Sequence, residues 1–199
     1  PVYVDMSDLP SAFFSAVQPS GADIRMTIGD GLTEVPVSVV SIDTTTETGQ
    51  LYFRAPTLSL STTTEFYLYY GSSTALAYAD SDPYGAENVW SNNFLAVYHF
   101  EESAPGVGTA DVYRDATSNN AHGDDFVMTT GAAGAFGRGQ TFDNSNTDYI
   151  TLPASILDGA TDVTVSKWYR TTTNGPHPFL SGANSSVDNE FLDWFFWTG

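Results

Sequence analysis

Short runs rich in β-branched and aromatic side chains recur along almost the whole chain, cut by clusters of Gly, Pro, Asp and Thr. Runs of this length and composition suit a pleated, half-buried surface and are too brief for stable helices. They fall at 23–28, 34–42, 50–54 and 65–70, then at 95–100, 126–128, 140–143, 149–152, 163–170 and 191–197. Val2-Tyr3-Val4 is strand-like as well. Gly29-Asp30-Gly31, between two runs, supplies residues that tolerate positive φ and predicts a hairpin turn. A helical period occurs once: Leu9, Phe13, Phe14 and Val17 follow Ser7 and Pro10, with Gly21 as a stop. The pattern predicts an all-β chain with one short helix near its N-terminus. No repeat of solenoid length is present.

Residues 71–88 change character. They are small and acidic, with Asp80-Ser81-Asp82-Pro83-Tyr84-Gly85, and have no clear period. A chain of 199 residues can hold two small domains. The expected organisation is two antiparallel β-sandwich or jelly-roll domains, 1–84 and 85–199. The sequence starts directly ahead of a strand-like run and stops in or just after another, so both ends are expected to be cuts.

Charge narrows the partners. Twenty-four acidic residues against six basic ones leave a formal net charge of −18. Nucleic acid and anionic membranes are excluded, because no basic patch exists to displace phosphate counterions. Neutral sugars, cations and basic groups remain. Without cysteine, neither a disulfide scaffold nor a thiolate metal site is available. No apolar run approaches the roughly 18 residues needed to span a bilayer, so no membrane insertion is expected.

Two resemblances cover most of the chain. Pro1-Val2-Tyr3-Val4-Asp5, Gly21-Ala22-Asp23-Ile24-Arg25, Glu34-Val35-Pro36 and Glu65-Phe66-Tyr67-Leu68-Tyr69-Tyr70-Gly71 resemble a bacterial domain of unknown function found in large exported proteins. From Trp90 onward, the Ala96-Val97-Tyr98-His99-Phe100-Glu101-Glu102 run, the Asp115 to Gly123 loop, the Gly139 to Asp143 and Asp148 to Pro153 pair, and Asp162 to Arg170 resemble the laminin-G-like branch of the concanavalin A-like lectin/glucanase superfamily. The resemblance implies a two-sheet sandwich, here partial, with C-terminal strands missing. Lys167 stands where that family has a small residue and is expected to point outward.

The strongest candidate site is a calcium loop. Asp115, Asn119 and the carbonyl-rich turn to Gly123 offer hard oxygen ligands from a compact segment. The resemblance adds to this, since many laminin-G-like modules carry calcium near their binding rim. The competing reading is that Asp115 and Asn119 cap a turn through side-chain to backbone bonds. A second acidic loop, 143–148, could supply another ligand set or be an ordinary hairpin. His99, His122 and His177 are far apart and form no metal-binding spacing. Glycosidase carboxylates facing one cleft about 5–5.5 Å apart need alternate positions on a strand. Glu190 and Asp193 are three apart and Glu101 and Glu102 adjacent, so each pair points to opposite faces. Trp90, Trp168, Trp194, Trp197, Tyr98, Tyr149 and Tyr169 could stack on sugars, though core packing is the commoner use of such residues. The loops 174–177 and 181–189 are where a ligand would be met.

The expected function is a non-catalytic binding or adhesion module of a bacterial surface or secreted protein, recognising carbohydrate or an extracellular protein with calcium support. The rivals are a purely structural extracellular spacer and part of a polysaccharide-degrading enzyme.

Overall fold

The computed structural model describes residues 1–104, 106, 108–172, 174–183 and 191–198. The chain is nearly all β, with antiparallel sheets and one short helix, and forms two compact units, Pro1–Ile156 and Leu157–Gly199. Among the described residues no helix is long and apolar enough to cross a membrane.

The first unit opens with β1 (Val2–Asp5), helix α1 (Ser11–Ala16), β2 (Arg25–Ile28), β3 (Glu34–Val35), β4 (Val37–Asp43), β5 (Thr48–Phe53) and β6 (Phe66–Tyr69). These strands make two three-stranded sheets, in the orders β1-β5-β4 and β3-β2-β6. Period-two alternation decides what each face carries. Met26, Val35 and Leu68 are in register on one sheet, and Val4, Leu51 and Val39 on the other. They meet in a single core with Met6 and the α1 phenylalanines Phe13 and Phe14. The chain passes from one sheet to the other across Pro36 alone, between β3 and β4. Proline brings no N–H, so a ladder ends there at no cost of a lost donor. The Pro36 carbonyl is used, accepting from the Arg54 amide at 3.0 Å.

Further along lie β7 (Thr109–Tyr113), β8 (Gly123–Phe126), β9 (Thr129–Ala133), β10 (Arg138–Thr141) and β11 (Tyr149–Thr151). They pair as a β11-β8-β7 sheet and a β9-β10 hairpin. This half lies on the outer face of the β1-β5-β4 sheet. Tyr52 on β5 meets Tyr3, Trp90 and His99 at ring-centroid distances of 5.2, 5.1 and 5.2 Å, and Tyr3 meets Phe136 at 4.8 Å. A polar contact joins the same surfaces: Glu101 accepts from the Gln50 side chain and from the Arg138 amide.

The 95–100 run is not a strand. Among the described residues its only ladder contact is one bridge between Tyr98 and Asp115. The cause is competition for its backbone: the Val97 amide goes to the Asp115 carboxylate, and the Phe94 and Leu95 carbonyls accept from the Asn119 amide group. Such side-chain bonds offer the backbone an alternative to sheet pairing.

In the second unit, β12 (Gly175–Ala183) and β13 (Phe191–Thr198) form one long hairpin. The expected strand over 163–170 joins no ladder among the described residues, and Trp168 there is 74% exposed. Lys167 is exposed, as expected, with its Nζ 5.3 Å over the Phe179 ring. Glu190 and residues 184–189 of the expected rim loop lie outside the described residues.

Candidate functional site

Asp115 is buried at the corner where the 95–100 run, the turn after β7 and the approach to β8 converge. Its Oδ1 accepts from the Val97 and Thr117 amides at 2.9 and 3.0 Å. Its Oδ2 accepts from the Thr117 hydroxyl at 2.8 Å and the Ala121 amide at 3.0 Å. A carboxylate has about four lone-pair positions, and all are met by donors here. Asn119 turns its amide nitrogen to two carbonyls, and Gly123 is the buried first residue of β8. A Cβ at Gly123 would sit 2.9 Å from Ile150 Cγ2, so glycine is there for packing. The three residues therefore gather on one loop, where the four bonds accepted by the Asp115 carboxylate cap the corner. His122 belongs to the same corner, its Nδ1 accepting from the Asp115 amide at 3.1 Å. The 143–148 loop is built in the same way. Asp143 accepts from the Ser145 amide and hydroxyl, which holds its carboxyl below the usual range, and Asp148 accepts from the Asp143 and Met128 amides. Among the described residues, no three His, Cys, Asp or Glu side chains converge as a metal ion requires.

A polar core lies behind this corner, and it carries no signal of burial in the sequence. Asp125 is fully buried, with Oδ1 accepting from the Tyr113 hydroxyl at 2.7 Å and the Val127 amide at 3.0 Å. Burial, followed by the bond to Asp125, drives the Tyr113 phenol well above its ordinary pKa. Gln140 ties the cluster to the preceding segment by donating to the Phe100 and Glu102 carbonyls, 2.9 Å each. Beside it, His99 packs between Tyr52 and Trp90, and burial lowers its pKa to about 4. These groups line the junction between the two halves of the first unit, where Asp125 Oδ2, His99 Nε2 and Trp90 Nε1 are buried without a hydrogen-bond partner among the described residues.

The open surfaces lie on the other sheet. Strand β6 presents Phe66 and Leu68 to the core and Tyr67 and Tyr69 outward, where they are 45% and 47% exposed. Arg25 and Thr27 of β2 share that outer face, paired with Tyr69 and Tyr67, and Glu34 of β3 is opposite Thr27. Arg25 is fully engaged: its Nε lies 3.6 Å from Glu34, its guanidinium lies 4.2 Å over Tyr78, and it donates to the Ala22, Ile24 and Leu76 carbonyls. Where β2 ends and β6 begins, Ile28, Gly29, Glu65 and Phe66 line an open cleft of about 580 Å³. The Ser- and Thr-rich loop 57–64 forms its other wall.

Sequence reasoning named seven aromatic candidates and passed over Tyr67 and Tyr69. Of the seven, Trp90 is buried, Tyr98 is half-buried and donates to the Ala121 carbonyl, and Tyr149 is exposed and stacked on Phe126. Tyr169 is exposed and Trp194 half-buried. The signal that separates Tyr67 and Tyr69 was present: in Phe66-Tyr67-Leu68-Tyr69 the purely apolar residues alternate with tyrosines.

No curated protein matches the chain. A solved structure, that of an S-layer domain-containing protein (residues 221–444) from Clostridium thermocellum, is similar at 23% identity and a TM-score of 0.43. The likeness covers 50% of this chain and 45% of that one. Residues 20–106, which include the outer face of β3-β2-β6 and the Trp90–His99 junction, match the family described as a domain of unknown function, DUF2341.

Proposed function

We propose that the chain is a non-catalytic recognition module of a bacterial surface or secreted protein, with a neutral carbohydrate as its ligand and an extracellular protein as the second choice. The observation that carries this reading is the set of large aromatic side chains exposed on the all-β first unit, Tyr67, Tyr69 and Tyr149 among them. Amphipathic rings of this kind supply contact area at low conformational cost. The charge of −18 steers such a surface away from polyanions. In this reading the laminin-G-like half acts as a β scaffold, and the Asp115 loop acts as its structural corner.

The test is an array of neutral, sialylated and sulfated glycans probed with the full chain, in calcium and again in chelator. Binding confined to neutral glycans supports the reading. A blank array from a cooperatively folded protein sinks it in favour of the structural spacer. Signal that disappears with chelator restores calcium to a supporting role.

A further inference from the structure

The two sheets of the N-terminal sandwich differ in what lies on their outer faces. That of β1-β5-β4 is occupied by Trp90, His99 and Phe136 packing on Tyr52 and Tyr3. That of β3-β2-β6 leaves Tyr67 and Tyr69 about half exposed. We propose that the β3-β2-β6 face is a binding platform for a neutral polysaccharide chain, with Tyr67 and Tyr69 stacking on successive sugar units. The proposal rests on the recognition reading above and assigns its site.

Geometry favours a stacked sugar chain. Residues two apart on a strand project from the same face about 6.6–6.8 Å apart, a spacing on the scale of one pyranose unit. The Tyr69 ring is held in place, its hydroxyl donating to the Gly31 carbonyl at 3.0 Å. Gly31 makes room for this: it takes φ +70°, and a Cβ there would lie 3.1 Å from the Tyr69 oxygen. A ring fixed before the ligand arrives loses little freedom on binding.

Polar chemistry points the same way. Thr27, 6% exposed, lies across the ladder from both Tyr67 and Glu34. Glu34 Oε1 is taken up by its ion pair with Arg25 at 3.6 Å, and Thr27 Oγ1 is fully buried without a hydrogen-bond partner among the described residues. Among the described residues the only cation on this face is Arg25, already used by Glu34, Tyr78 and three carbonyls. It has no fork left for a uronate or a sulfate, which is why the platform is assigned to a neutral chain. The cleft at the end of the same sheet, between Glu65 and the hydroxyl-rich loop 57–64, extends the path.

The experiment is affinity electrophoresis of the full chain in native gels containing xyloglucan, galactomannan, mixed-linkage β-glucan or, as a polyanion control, dextran sulfate. Tyr67→Ala, Tyr69→Phe and the Tyr67→Ala/Tyr69→Ala double variant run alongside, with thermal unfolding to verify their fold. The expected result is retardation in at least one neutral gel, weakened more than tenfold in the double variant and several-fold in Tyr67→Ala. Tyr69→Phe, which keeps the ring but loses the bond to Gly31, is weakened less than Tyr67→Ala. If the double variant does not fold, the two single variants decide. Full retardation of the folded double variant, or of Tyr67→Ala in that case, overturns the platform and leaves the recognition reading standing. Retardation by dextran sulfate alone overturns the neutral assignment. If the parent protein is retarded in no gel, the recognition reading fails together with the platform.

Discussion

At the residue scale, two buried groups connect composition to behaviour. Asp115 answers three amides and a hydroxyl, and its removal strands those donors away from water. Asp115→Ala is expected to cost about 2–4 kcal/mol, measured by urea unfolding, with the same loss in calcium and in chelator. A loss seen only in calcium would reinstate the cation reading of this loop. His99 sets a pH dependence. Burial holds its imidazole near pKa 4, against about 6.5 in an unfolded chain. As pH falls from about 6.5 towards 4, the unfolded state takes up a proton that the native state does not. Native stability therefore declines across that window, by on the order of 2 kcal/mol from this group, and is fully present above it. His99→Phe should flatten that part of the profile relative to the parent; an unchanged slope in denaturant midpoint from pH 7 to pH 5 would refute the assignment.

At the element scale, legibility followed how each strand is satisfied. Strands β2 and β6 read clearly because one face is the apolar core and the other is polar, so Met26 and Leu68 alternate with Thr27 and Tyr67. The 95–100 run has the same composition and still fails as a strand, because Asp115 and Asn119, about twenty residues away, take its backbone groups. No local pattern announces that. Strand β9 is Thr-Thr-Gly-Ala-Ala, and β12 carries Pro176 and Pro178, compositions that argue against strands until a partner is known. The candidate loop was legible as a cluster, whereas its role depended on which donors reached the carboxylate. One glycine gives an element-scale test. A Cβ on Gly49 of β5 would meet the Ser41 carbonyl oxygen at 2.7 Å and Met6 Cε at 2.8 Å. Gly49→Ala should destabilise by about 1–3 kcal/mol by forcing β4 and β5 apart; a neutral result in thermal unfolding would mean the strands yield freely.

At the scale of the whole molecule, a charge of −18 on 199 residues makes self-repulsion a standing term. Raising sodium chloride from about 20 mM to about 0.5 M shortens the screening length from tens of ångströms to a few. The midpoint of thermal unfolding should therefore rise by several degrees, and a flat or falling response would show that the acidic groups are already compensated. The ladder of the first sheet sets the pace of assembly. Among the described residues β1 pairs only with β5, so Val2 waits for Phe53, whereas β2 has β3 nearby but waits for Tyr67 and Tyr69 on its other edge. The single residue between β3 and β4 separates the sheets instead of folding one strand back on the other. Loop closures of some forty to fifty residues must precede the contacts that reward them, which places the module among high-contact-order folders working in milliseconds to seconds. During synthesis β1 leaves the ribosome some forty-five residues before β5, so its ladder edge stays open until β5 follows.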